Sequence, residues 1–141
     1  TDAAIDSEGW LHTGDMGTID KDNNIFLKGR CKNMLLGPSG QNIYPEIIEA
    51  KLTNLPFVSE CVVIQQNNKL VALVYPDFAA MDEGHVSTDD LGAIMEENRL
   101  QLNKIVASYE NISKIIIHPN EFEKTPKKSI KRYLYENLNN F

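Results

Sequence analysis

Cysteine, long apolar runs and net positive charge are all scarce in this chain, and each scarcity excludes something. Its two cysteines, Cys31 and Cys61, lie far apart. They match neither a disulfide framework nor a metal-ligand spacing, so no metal site is expected. Cys61 falls within an apolar run and reads as a core thiol, and two unpaired cysteines point to a reducing, cytoplasmic setting. No apolar run approaches the roughly 18 residues that cross a bilayer, and neither a secretory signal nor more than peripheral membrane contact is expected. Lys and Arg total 14 against 20 Asp and Glu, a net charge of −6. Such a balance does not draw the molecule as a whole to nucleic acid or anionic lipid.

What is present suits an ordinary globular core. The 141 residues are 42% apolar, enough for one domain, or a domain with a fragment attached, but not for a large enclosed pocket. The opening "TDAAIDSEGWLHTGD" lacks an initiator Met, and the chain is expected to be a piece of something longer.

Read along its length, the sequence alternates short strands and helices. "GTID" and "NIFLKG" flank Asp22, Asn23 and Asn24 as the arms of a β-hairpin. "GPSGQNIYP" is a loop, because two glycines and two prolines do not sit inside a helix. Pro45 suits a first helical position; Ile47, Ile48, Leu52 and Leu55 then share a face. "VSECVVIQQ" and "KLVALVYP" form a second hairpin around residues 67–69. Thr88 is expected to cap a helix with Asp89 and Asp90 in its first turn and an apolar stripe of Leu91, Ile94, Met95, Leu102, Ile105 and Val106. "ISKIIIHP" reads as a strand, and "SIKRYLYENL" as a closing helix capped by Ser129. The predicted class is α+β, a small antiparallel sheet packed with helices.

Three stretches carry chemistry. In "HTGD" a glycine allows close backbone approach, and the Asp15 carboxylate can accept two hydrogen bonds, as adjacent ribose hydroxyls would offer; alone, the tetrapeptide serves equally as a turn. Arg30, ending the next strand in "KGR", offers a fork of donors to the same hydroxyls or to a phosphate, or else a solvated strand end. The loop around Gly37 and Gly40 has backbone N–H groups free of bulky side chains, suited to an anion or a narrow ligand, or simply to a connection.

In register, these pieces read "GWLHTGDMGTIDKDNNIFLKGRCKNMLLGPSGQNIYPEIIEAKL", which closely resembles the junction and lid domain of the adenylate-forming superfamily, specifically its acyl-CoA synthetases. The resemblance covers essentially the whole chain, with little from residues 78–112. It implies that residues 1–30 are the last hairpin of a large N-terminal adenylation domain and that residues 31–141 are the mobile C-terminal lid. It implies that Asp15 binds the ribose hydroxyls of ATP with the help of Arg30, and that Lys32 is the hinge. About that hinge the lid turns between forming acyl-adenylate from a carboxylate and ATP-Mg2+ and forming the thioester with coenzyme A. Ser39 and Gly40 would line the pantetheine tunnel, where a larger side chain would obstruct. The partners implied are the N-terminal domain, ATP, CoA and an acid; the wording of "KNMLLGPSGQNIYPEIIE" is closest to long-chain fatty acid members.

One departure stands out. The family places a catalytic lysine in a segment resembling T-P-x-G-K-I-x-R. Aligning Thr125, Pro126, Ile130 and Arg132 puts Ser129 where that lysine belongs. A hydroxyl brings no charge, whereas a cation at 4 Å from an anion is worth about 4 kcal/mol at an effective dielectric of about 20. Two neighbours are candidates to replace it. Lys128 is adjacent on the loop side and has a long stem, while Lys131 on the expected helix would project about 200° from Ser129; Lys128 is the preferred one. Nucleic-acid binding by this basic segment is disfavoured, since the rest of the chain is acidic and Tyr133 and Tyr135 read as packing residues. The alternatives are a non-catalytic descendant that retains nucleotide binding, an enzyme that transfers to a carrier protein, and an unrelated α+β interaction domain. On any of these readings the isolated chain is expected to be inactive.

Overall fold

The structure, a computed structural model, describes residues 4–136. Asn24 folds back on Asp20 to close the first hairpin, with Asn23 at φ 64°, and strands β1 (Asp15–Ile19) and β2 (Ile25–Arg30) pair antiparallel from Asp15–Arg30 to Ile19–Ile25. Short strands β3 (Leu35–Leu36) and β4 (Asn42–Ile43) bracket the glycine loop. Helix α1 (Pro45–Leu52) then starts at its proline, whose missing N–H costs nothing there. Pro45, Ile48 and Leu52 are its fully buried residues; Leu55 lies in the turn beyond it.

Strands β5 (Val58–Gln66) and β6 (Lys69–Pro76) pair antiparallel about a turn in which Asn67 and Asn68 both have positive φ. Asparagine tolerates that conformation better than most residues. Asp77 then caps α2 (Phe78–Glu83) by accepting the Ala80 N–H at 3.1 Å. This helix was not expected from the sequence, although an Asp after Pro76 and a Gly at 84 mark its ends.

Helix α3 (Leu91–Ile105) follows a 3-10 turn over Thr88–Asp90. The expected Thr88 cap is therefore corrected. Thr88 lies inside the turn, and it is Ser87 that engages Asp90, Oγ to Oδ2 at 3.0 Å. The buried stripe of α3 is Leu91, Met95, Asn98 and Leu102, whereas Ile105 is exposed.

Strand β7 (Ile112–Ile117) joins β6 in parallel, so the central sheet, in order β5-β6-β7, is mixed. The path through α2 and α3 returns the chain to the end of the sheet from which β6 began, and parallel pairing follows. The α+β class stands: small sheets packed with helices.

The sheet is covered on both faces. Cys61, Val63, Ala72 and Val74 face α1 and α3, while the alternate residues Val62, Ile64, Val71 and Leu73 face Phe122 and Tyr135. Central strand β6 thus reads as a continuous apolar run. Tyr135 meets Phe122 edge to face at 4.9 Å and His118 at 5.5 Å, and its hydroxyl accepts the Glu123 N–H at 2.8 Å.

This packing replaces the expected closing helix. Lys124 and Ile130 form a β-bridge, the Thr125 N–H donates to the Ser129 carbonyl at 2.8 Å, and only Arg132–Leu134 makes a 3-10 turn. Ser129 caps no helix. The Ser129 carbonyl, which would open the helix, is instead taken by the Thr125 N–H, and Tyr135 packs on the sheet. Residues 137 and 138 of the expected helix lie outside the described residues.

Candidate functional site

The hairpin delivers Asp15 and Arg30 to the same point. They are cross-strand partners, and Arg30 Nη1 donates to Asp15 Oδ1 at 2.7 Å. Gly14, at φ 78°, adopts the left-handed turn before them, and a Cβ there would lie 3.1 Å from Arg30 Nη2. The Arg30 side chain is 49% exposed and that of Asp15 36%, so both are accessible to a ligand.

Immediately beyond, Cys31–Asn33 forms a single 3-10 turn carrying Lys32. Glu46, in the first turn of α1, reaches back and accepts the Arg30 N–H at 2.5 Å through Oε2. Its other oxygen, Oε1, is buried and has no hydrogen-bond partner among the described residues.

The basic segment forms a tight loop facing these residues. The Lys128 N–H donates to the Thr125 carbonyl, the Ser129 N–H to Thr125 Oγ1, and the Lys131 N–H to the Glu123 carbonyl. Lys128 sits at the apex with φ 64°, a conformation that favours glycine. An open cleft of 840 Å³ gathers Arg30, Lys32, Thr125, Lys128, Ser129 and Lys131. With no helix at 129, the separation of about 200° between Lys131 and Ser129 expected from helical geometry does not arise. Both lysines reach the cleft, Lys128 exposed and Lys131 half-buried.

Two ion pairs that no local sequence pattern reveals hold the loop in place. Arg132 forms a bidentate pair with Glu49 of α1, whose Oε2 also accepts the Val63 N–H at 2.8 Å. Burial pushes the Glu49 carboxyl up, against the pull of Arg132. Burial alone would lower Arg132, but Glu49 outweighs it and holds the guanidinium above its ordinary range. Lys124 pairs with Glu60, which raises the lysine. A charged residue within the apolar pattern of α1 was the available signal for Glu49.

Ser39 and Gly40 stand elsewhere, in the turn between β3 and β4 closed by the Gly40 N–H to Gly37 carbonyl bond at 2.9 Å. Ser39 lines a second cleft, of 620 Å³, with Gln41, Lys69, Arg99, Tyr109 and Ser113. Gly40 has φ 87°, and a Cβ on it would meet nothing within 4 Å. Within this chain the turn conformation, not crowding, calls for glycine there. No group of three or more His, Cys, Asp or Glu residues able to hold a metal occurs among the described residues.

Residues 33–139 match the model of the AMP-binding enzyme C-terminal domain. The chain belongs to that family. As an AMP-binding enzyme C-terminal domain, it is 41% identical over 75 residues to the rat long-chain-fatty-acid–CoA ligase ACSBG1, covering 52% of this chain and 10% of the relative. It is 33% identical over 115 residues to the 4-coumarate–CoA ligase of Vanilla planifolia, covering 82% of this chain and 20% of that one. The chain thus spans a fifth or less of these two relatives. By structure, the adenylation domain of the carboxylate reductase from Mycobacterium chelonae superposes with a TM-score of 0.80 at 23% identity, covering 94% of this chain and 22% of that one. The Mycobacterium tuberculosis fatty acyl CoA synthetase gives 0.57 at 28% identity, with 94% and 24% covered.

Proposed function

We propose that this chain is the mobile lid, with the adjoining hairpin, of an AMP-forming acid–thiol ligase that makes an acyl-adenylate from ATP and then an acyl-CoA. The observation that carries this reading is the cleft itself. It sets Lys128 and Lys131 on the same side as Arg30, whose partner Asp15 is suited to ribose hydroxyls.

On this reading the boundary between the large domain and the lid falls near residue 31, and Lys32 is the hinge. The apolar face of the hairpin supports it. Ile19, Ile25 and Leu27 are 68%, 70% and 73% exposed, a patch suited to burial against a neighbouring domain.

In the adenylation step, carboxylate attack builds negative charge at the α-phosphate. Lys128 supplies the cation there, aimed from a loop whose conformation is fixed before substrate arrives. Mg2+ would enter with ATP, bound to its phosphates; no group of three or more His, Cys, Asp or Glu residues able to hold a metal occurs among the described residues. In the thioester step the lid presents its other face, and Ser39 and Gly40 flank the pantetheine of CoA. The acid is proposed to be a long-chain fatty acid, with an aryl acid such as coumarate next in line given the second relative. A cytoplasmic setting with at most peripheral membrane contact is part of the same proposal.

Ser129 favours a second reading, a descendant that binds nucleotide without adenylating. The experiment that separates the two is acid-dependent exchange of pyrophosphate into ATP in the full-length parent, comparing Lys128→Ala and Lys131→Ala. Loss with Lys128→Ala alone, while thioester formation from supplied acyl-adenylate survives, supports the assignment. Wild-type exchange that never exceeds background sinks the ligase reading.

A further inference from the structure

Glu46 takes no part in the chemistry above, yet three features converge on it. Its Oε2 accepts the Arg30 N–H at 2.5 Å. The carboxylate packs so closely on Gly29 that a Cβ there would lie 2.5 Å from Oε2. Its second oxygen is buried without a hydrogen-bond partner among the described residues. An ionised acceptor on a backbone amide makes one of the stronger hydrogen bonds, while an unsatisfied buried oxygen carries a cost. A carboxylate held on these terms acts as a specific tie rather than as general packing.

The tie runs across the proposed hinge. Gly29 and Arg30 precede Lys32; Glu46 follows it on α1, one turn from Glu49, which anchors the lysine loop through Arg132. The field of Glu46 also reaches Arg132 and raises it. Rotation at Lys32 would carry α1 away from β2 and break this bond.

We infer that Glu46 is a positioning residue: a latch from lid to hairpin that holds the orientation in which the lysine loop faces Arg30, and must release before the Ser39–Gly40 face can be presented. The direction of its effect rests on the proposed two-step ligase; the latch itself does not. Opening it would shift the balance of lid orientations away from adenylation, since an interaction made in one state only biases the equilibrium by its own strength.

Three substitutions test this. Glu46→Ala removes the acceptor, Glu46→Gln keeps an acceptor oxygen without the charge, and Gly29→Ala pushes the carboxylate away from the opposite side of the hinge. In this chain, hydrogen exchange of the Arg30 amide is expected to quicken about ten-fold or more in Glu46→Ala and Gly29→Ala, and much less in Glu46→Gln. The Leu73 amide, in the central strand, serves as the control that the fold is intact. In the full-length parent, the ratio of pyrophosphate exchange to thioester formation from supplied acyl-adenylate is expected to fall about ten-fold in the first two variants and to be largely kept in Glu46→Gln. Unchanged Arg30 exchange in Glu46→Ala overturns the latch. Altered exchange with an unchanged ratio overturns its role in choosing between steps. A wild-type parent with no pyrophosphate exchange refutes the ligase reading instead, and the Arg30 amide still decides the latch.

Discussion

Arg132 and Glu49 are 83 positions apart in sequence, yet their side chains meet in a two-pronged pair at the edge of β5. The pair ties the lysine loop to α1 and, through the Val63 N–H, to the outer strand of the sheet. Removing either partner leaves the other buried and unpaired.

Arg132→Ala is accordingly expected to destabilise the chain by about 3–5 kcal/mol in urea unfolding at pH 7. Without Arg132, burial raises the Glu49 carboxyl in the folded state further above its unfolded value. In the window between those two values the folded chain binds more protons, so its stability falls as pH rises. The penalty of Arg132→Ala should therefore shrink when unfolding is repeated near pH 4. A penalty that grows on acidification would mean that Glu49 is not the group left stranded.

Lys128 at φ 64° stands where the motif resembled by this segment has glycine. Lys128→Gly should raise stability by about 0.5–1 kcal/mol, relief of backbone strain outweighing the added freedom of the unfolded chain. In the full-length parent the same change should abolish pyrophosphate exchange, and Lys128→Gly with Ser129→Lys should restore it. Restoration by the pair would show that the loop keeps the geometry of the missing lysine.

The Asp15–Arg30 pair is open to solvent and contributes only about 0.2–1 kcal/mol to stability. Asp15→Asn should leave the unfolding midpoint nearly unchanged while raising the KM for ATP in the full-length parent. A large loss of stability with unchanged KM would make the pair structural.

Cys31 is exposed and Cys61 buried, and burial pushes the Cys61 thiol far above its ordinary value. A disulfide reagent at pH 8 should titrate one thiol per folded chain and two in denaturant. Two fast-reacting thiols in the folded state would contradict the packing of β5.

Local chemistry decided what could be read in advance. Asp and Asn turns fixed both hairpins, and a proline fixed the start of α1. The meeting of Asp15 with Arg30 was legible because the two end the arms of one short hairpin. The loop at 124–130 was not, because its shape depends on Phe122 and Tyr135 reaching a sheet face laid down some sixty residues earlier, and no local periodicity records that demand. "SIKRYLYENL" has helical spacing, but tertiary packing overrides it. The parallel docking of β7 and the role of Glu49 are likewise properties of the assembled sheet.

That two-sided sheet has a consequence for synthesis. Val62, Ile64, Val71 and Leu73 leave the ribosome well before Phe122 and Tyr135, the residues that cover them. Until those arrive, one complete apolar face of the sheet stays open to other chains. A nascent chain stalled between β7 and Phe122 would hold most of its secondary structure and still be adhesive, so chaperone engagement should peak there and vanish once Tyr135 has emerged.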